Sequence, residues 1–182
     1  MGDFMKKILL TYSLISCLST VSANIYAADK NSISVGYAQS HVKVGGASLG
    51  DNPQGFNLKY RYEVNDHWGV INSFSYTHKG YNFYYGNSKV GSVNIDFYSL
   101  EIGPTFRINE YVSLYGLIGA SHGKSKLSLF DQSDSVSKTA MVAGLGGQIN
   151  PYPNVVIDAS YEYSKLGDAK VGTWMLGAGY RF

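Results

Sequence analysis

The sequence predicts an all-β fold, an eight-stranded antiparallel up-and-down transmembrane β-barrel. Three observations predict it. Eight segments alternate apolar and polar residues with a period of two, the spacing that sends successive side chains to opposite faces of a strand. The connections alternate short and long, the plan of a membrane barrel with tight turns at one end and loops at the other. Only 15% of the residues are charged while 14% are aromatic, 16 residues being Tyr. That is little solvating charge for a soluble exterior and much aromatic surface for a membrane interface.

Residues 1–28 read as a signal peptide, leaving 29–182 as the barrel. Lys6 and Lys7 open it, residues 8–18 form its apolar core, and small residues follow. Cleavage fits after Val21-Ser22-Ala23 or near Ala27 and Ala28, and the apolar run is too short to span a bilayer. The only cysteine, Cys17, lies inside this segment, within Leu14-Ile15-Ser16-Cys17, which also has the form of a lipoprotein processing box. Once the signal is removed the chain has no thiol to mispair during export.

The first strand, 32–42, sets Ile33, Val35 and Tyr37 against Ser34, Gly36 and Ala38. The second, 56–64, alternates Phe56, Leu58, Tyr60, Tyr62 and Val64 with Asn57, Lys59, Arg61 and Glu63. The third, 68–78, groups Trp68, Val70, Phe74 and Tyr76, with Asn72 breaking the pattern. The fourth, 93–108, sets Tyr98, Leu100, Ile102, Pro104, Phe106 and Ile108 against Ser99, Glu101, Gly103, Thr105 and Arg107. The fifth, 111–127, carries Val112, Leu114, Gly116, Ile118 and Ala120 on its apolar face. The sixth, 138–149, opposes Met141, Ala143, Leu145 and Ile149 to Ala140, Val142, Gly144, Gly146 and Gln148. The seventh, 155–166, opposes Val155, Ile157, Ala159, Tyr161 and Tyr163 to Asp158, Ser160, Glu162 and Ser164. The eighth, 171–182, has Trp174, Leu176, Ala178, Tyr180 and Phe182 on one face. Tyr180 and Phe182 at its end resemble the terminal assembly signal of bacterial outer-membrane barrels.

Alternation alone does not say which face is inside, because a soluble lipocalin-like barrel alternates too. Residue size decides. The polar face is mostly Ser, Gly, Ala and Thr, which suits a narrow lumen; the other carries bulky aliphatics flanked by aromatics, which suits lipid. The inward charges are Lys59, Arg61, Arg107 and Arg181 against Glu63, Glu101, Asp158 and Glu162. Buried charges need partners, so this balanced set predicts an internal network. About eight strands leave room for side chains and no pore, so the barrel is expected to be plugged.

The short turns are 65–67, 109–110 and 150–154, and the long loops fall near 43–55, 79–92, 125–137 and 165–170. The long loops carry an excess of Lys over Asp. The candidate binding residues lie in the second and third: the aromatic run Phe83, Tyr84 and Tyr85, the isolated Phe130, and Lys79, Lys89, Lys124 and Lys126. Exposed loop aromatics mark binding sites, and basic loops attract glycans or lipopolysaccharide. The plainer readings are aromatics packed on the barrel rim and ordinary solvated charge.

Other chemistries find no support. The net charge of +2 is too small for a nucleic-acid partner. His41, His67, His78 and His122 lack metal-site spacing, Gly144-Leu145-Gly146-Gly147 precedes no helix, and no Ser-His-acid set assembles. No catalytic residue, metal or cofactor is expected. A lipid-acting enzyme and a purely structural barrel are the alternative classes.

The segments Ser34-Val35-Gly36-Tyr37-Ala38-Gln39, Gly55-Phe56-Asn57-Leu58-Lys59-Tyr60-Arg61-Tyr62-Glu63 and Gly103-Pro104-Thr105-Phe106-Arg107-Ile108-Asn109-Glu110-Tyr111 carry a resemblance. With Ala159-Ser160-Tyr161-Glu162-Tyr163-Ser164-Lys165 and the last strand, it covers the whole mature chain. The chain resembles the Ail/Lom family of enterobacterial outer-membrane proteins, relatives of OmpX. The resemblance implies an eight-stranded barrel in the outer membrane, and the alternation and loop lengths imply that it is a monomer. Its extracellular loops would bind host cells, matrix proteins (fibronectin, laminin) and heparin-like glycans, and would recruit complement regulators for serum resistance.

Overall fold

A computed structural model describes residues 30–45, 47–48, 52–85, 88–129 and 132–182. The signal segment with Cys17, and Phe130 in the third loop, lie outside the described residues.

The strands are β1 (Asn31–Val44), β2 (Ala47–Ser48), β3 (Gln54–Glu63), β4 (Trp68–Tyr85), β5 (Ser88–Arg107), β6 (Val112–Leu129), β7 (Gln132–Tyr152), β8 (Val155–Leu166) and β9 (Ala169–Arg181). Apart from β2, a two-residue strand that folds back on the end of β1, each pairs antiparallel with the next. β1 also pairs with β9, from Ser32↔Arg181 to Val44↔Ala169, which closes the sheet into the predicted eight-stranded barrel. Closure gives each of the eight wall strands a neighbour on both sides, with the β5–β6 ladder interrupted between Ile102↔Ile118 and Thr105↔Tyr115, where Pro104 has no N–H to donate.

The turn end is built from asparagines. Asn65 Oδ1 accepts from the N–H groups of His67 (3.0 Å) and Trp68 (2.8 Å), and Asn109 Oδ1 accepts from Tyr111 (2.9 Å) and Val112 (2.8 Å). In both, a short side chain stands in for a backbone carbonyl and reverses the chain in the fewest residues. The third turn, after Tyr152, follows a register shift between Ile149 and Tyr152.

The loop end departs from the sequence reading. The described residues of 79–92 and 125–137 are strand and not loop: β4 and β5 stay paired to Tyr85↔Ser88, and β6 and β7 to Leu129↔Gln132. These four strands run 18, 20, 18 and 21 residues, where about 9–11 cross a bilayer, so both hairpins project beyond it as two-stranded ribbons. The fourth connection, read as a long loop over 165–170, is a tight turn with Gly167 at φ 65°, a conformation that favours glycine.

The faces follow the alternation. Met141, Leu145, Leu100 and Val35 stand on the outside, 61–72% exposed, a surface that belongs in hydrocarbon and not in water. Aromatic residues flank it. Trp68 and Phe106 pack toward the turn end with ring centroids 5.0 Å apart. Tyr37–Trp174 (5.5 Å), Phe56–Tyr76 (6.0 Å) and Tyr76–Tyr98 (4.8 Å) pack toward the loop end. The lumen is less uniformly small and polar than the sequence implies. Ile71, Tyr115 and Leu117 form one buried cluster, and Val42, Phe97, Leu166 and Val171 another below the loop-end mouth.

Candidate functional site

Two regions carry the predicted site residues, the lumen and the loop end. In the lumen the inward charges gather at three levels. Nearest the turns, Glu63 takes Arg61 (3.1 Å), Arg107 and Arg181 (3.2 Å) around one carboxylate, three cations to one anion. Arg61 also donates across the lumen to Gln148 Oε1 at 3.1 Å.

At the next level Lys59 reaches from β3 to Asp158 on β8 at 2.5 Å. Its ammonium also donates to Asn57 Oδ1 (2.9 Å) and Ser160 Oγ (2.8 Å). An ammonium has three donors, so all are used. The second Asp158 oxygen accepts from the Tyr115 hydroxyl at 2.8 Å. Sequence reasoning missed Tyr115. The glycines opposite it are the available signal, because a Cβ at Gly146 would fall on the Tyr115 hydroxyl.

Toward the loop end, Glu162 accepts from Ser75 (2.9 Å) and Ser99 (2.8 Å). Both oxygens of Glu101 are buried without a hydrogen-bond partner. A hydroxyl layer then fills the section: Ser40 bonds Thr77 and Thr173, each at 2.8 Å, and Ser121 bonds Ser164 at 2.6 Å.

At the loop end, Phe83, Tyr84 and Tyr85 occupy the tip of the β4–β5 ribbon, at a register shift between Phe83 and Tyr84, with Lys89 on the facing strand. Lys79 lies lower on β4, its ammonium 5.8 Å from the Tyr81 ring centroid. Lys124 and Lys126 are exposed on β6, the first strand of the other ribbon. The two ribbons share a wall through β5 and β6, with Asn94↔Lys126 and Asp96↔Lys124 in register, so both groups of candidates stand on one side of the barrel. Asp96 accepts from Tyr76 Oη (2.9 Å) and meets His78 Nδ1 (2.8 Å).

On the other side, Lys43 faces Lys170, and Lys170 faces Lys165. All three are exposed while Val42, Leu166 and Val171 beside them are buried, so the lysines point outward. Like charges directly opposite on neighbouring strands destabilise a sheet, and an anion laid over them removes that penalty.

Of the predicted assembly residues, Tyr180 points outward, 55% exposed. Phe182 exchanges backbone hydrogen bonds with Asn31 in both directions, at 2.8 and 2.9 Å.

The sequence matches the outer membrane protein beta-barrel domain family over residues 13–182. It is 67% identical over 178 residues to the attachment invasion locus protein of Yersinia enterocolitica, covering 98% of this chain and 100% of that one. It is 38% identical over 181 residues to outer membrane protein X of Escherichia coli K12, again over 98% and 100% of the two chains. Among solved structures it is similar to Ail, the attachment invasion locus protein of Yersinia pestis, in complex with the heparin analogue sucrose octasulfate. The TM-score is 0.80 at 61% identity, over 84% of this chain and 98% of that chain. The chain therefore belongs to the outer-membrane β-barrel family, among the relatives of the attachment invasion locus proteins and outer membrane protein X.

Proposed function

We propose that this barrel is an outer-membrane adhesin and virulence factor whose projecting ribbons bind the host surface. The observation that carries the reading is the pair of ribbons rising on one side of the barrel, with Phe83, Tyr84 and Tyr85 at one tip and exposed Lys124 and Lys126 on the other. Aromatic anchors supply area to bury against a protein partner, and lysines speed encounter with acidic surfaces. A relative 61% identical to this chain has been solved with a heparin analogue, which supports heparin-like glycans as one ligand class. Fibronectin, laminin and complement regulators are the protein partners that the reading includes.

The test replaces Phe83, Tyr84, Tyr85 and Phe130 with Ala in cells with normal surface levels. Truncating a true anchor weakens binding by at least ~2 kcal/mol, about thirtyfold. Adhesion, matrix-protein binding and serum survival are then measured; wild-type values in all three refute the surface. Replacing Lys79, Lys89, Lys124 and Lys126 with Ser lowers heparin binding, most at low salt, where screening is least.

The outward ladder Lys43–Lys170–Lys165 supports a second, compatible role. Set beside the outward aromatic Trp174, it offers a contact for the phosphates of lipopolysaccharide and steadies the barrel in its membrane. Replacing these three lysines with Ser lowers binding to lipopolysaccharide and leaves heparin binding by the ribbons intact.

A further inference from the structure

A cavity of about 340 Å³ opens at the loop end of the lumen. Its floor is the buried cluster Val42, Phe97, Leu166 and Val171, with Ala140 packed against it. Val44, Ile95 and Val136 continue the apolar lining toward the mouth. The hydroxyl layer of Ser40, Thr77, Thr173, Ser121 and Ser164 lies immediately below, hydrogen-bonded within itself. The space is therefore a closed cup and not the entrance to a channel. Its size and apolar lining are those of a small-molecule site, which spans about 300–1,000 Å³ with few polar groups.

Behind the floor the wall is paired, β1 with β9 up to Val44↔Ala169 and β8 with β9 up to Leu166↔Ala169, whereas β7 parts from β8 above Val142↔Ser164, beside Lys138. Charge restricts what fits. Lys138 shares the inward face of β7 with buried Val142 and lies across the Gly167 turn, its Nζ 2.5 Å from where a Cβ on Gly167 would stand. It lines the cavity and makes no ion pair or hydrogen bond among the described residues. Of the other lining charges, Asp96 is held by Tyr76 and His78, while Lys124 and Asp168, exposed as Lys138 is, oppose each other in sign. Lys138 is left to set the preference.

We propose that the cup binds a free medium-chain fatty acid, its chain on Val42, Phe97, Leu166 and Val171 and its carboxylate on Lys138. Apolar burial drives entry of the chain, and the ammonium fixes the head at the rim. A sulfated glycan suits the exposed lysines but has no apolar segment for this floor. The site is thus separate from the proposed host-binding ribbons and does not depend on that reading.

The experiment uses the full barrel in phosphatidylcholine nanodiscs with methyl-labelled Val and Leu, titrated with dodecanoate and, separately, dodecanol. Saturable shifts are expected at Val42, Leu166 and Val171. Lys138→Ser should weaken dodecanoate about tenfold and leave dodecanol unchanged. Ala140→Trp should abolish both by filling the floor; if it does not fold, Val136→Trp at the exposed rim serves instead. Shifts confined to outward residues such as Leu100 and Leu145 would overturn the proposal. So would equal loss of both ligands in Lys138→Ser, or contacts from bilayer acyl chains to the cup before any dodecanoate is added.

Discussion

Asp158 is where one side chain decides whether the lumen holds. Removing it by Asp158→Ala strands the Lys59 ammonium in a space 1% exposed and also leaves the Tyr115 hydroxyl without its acceptor. Breaking a buried pair from one side costs ~3–5 kcal/mol, whereas replacing both partners with apolar residues is often neutral. The expectation is that Asp158→Ala loses about that much, and that Lys59→Met with Asp158→Leu recovers most of it. Urea unfolding in bilayers reads both, with Trp68 and Trp174 on the outer face as reporters. Wild-type stability in Asp158→Ala would mean that water reaches Lys59. Alternation placed both residues in the lumen, because inward position depends only on local period. Which cation meets which acid was not legible, because Lys59 and Asp158 are 99 residues apart and their meeting depends on the stagger around the whole barrel. The same holds for Glu63, which gathers three arginines where composition offers only equal numbers of each sign.

The strands were most legible where the membrane imposes two different solvents on their faces. β3 and β8 alternate apolar and polar residues along their length and are short enough to span and stop. β4 to β7 continue past the bilayer, where water bathes both faces and nothing enforces alternation. Gly, Asn, Ser and Lys are admitted there, so 79–92 and 125–137 look like loops although the backbone ladder goes on. Epitope tags test this geometry with the topology. Insertions after Ser88 and Ser133, near the ribbon tips, should be recognised by antibody on intact cells. Insertions after Asp66 and Asn109, in the asparagine turns, should be silent. Surface labelling at Asp66 would invert the barrel.

Across the whole molecule, the lumen has a direction: three arginines around Glu63 at the turn end, the Lys59–Asp158 pair between, and Glu101 and Glu162 toward the loops. With the hydroxyl layer above, charged and hydroxyl side chains pack across the lumen at each of these levels among the described residues, and planar-bilayer recordings should show no steady conductance of porin size. A sustained open channel would contradict the packing. The backbone of the wall closes on itself. Asn31 and Phe182, 151 positions apart in the chain, are hydrogen-bonded neighbours. A short linker could join them, and a cut between Asp66 and His67 would supply new ends, giving a circular permutant in which every strand keeps its two neighbours. Such a molecule would carry the same barrel with Phe182 in mid-chain. Comparing its refolding in lipid with its insertion in cells would separate what the wall needs in order to close from what the cell needs to read.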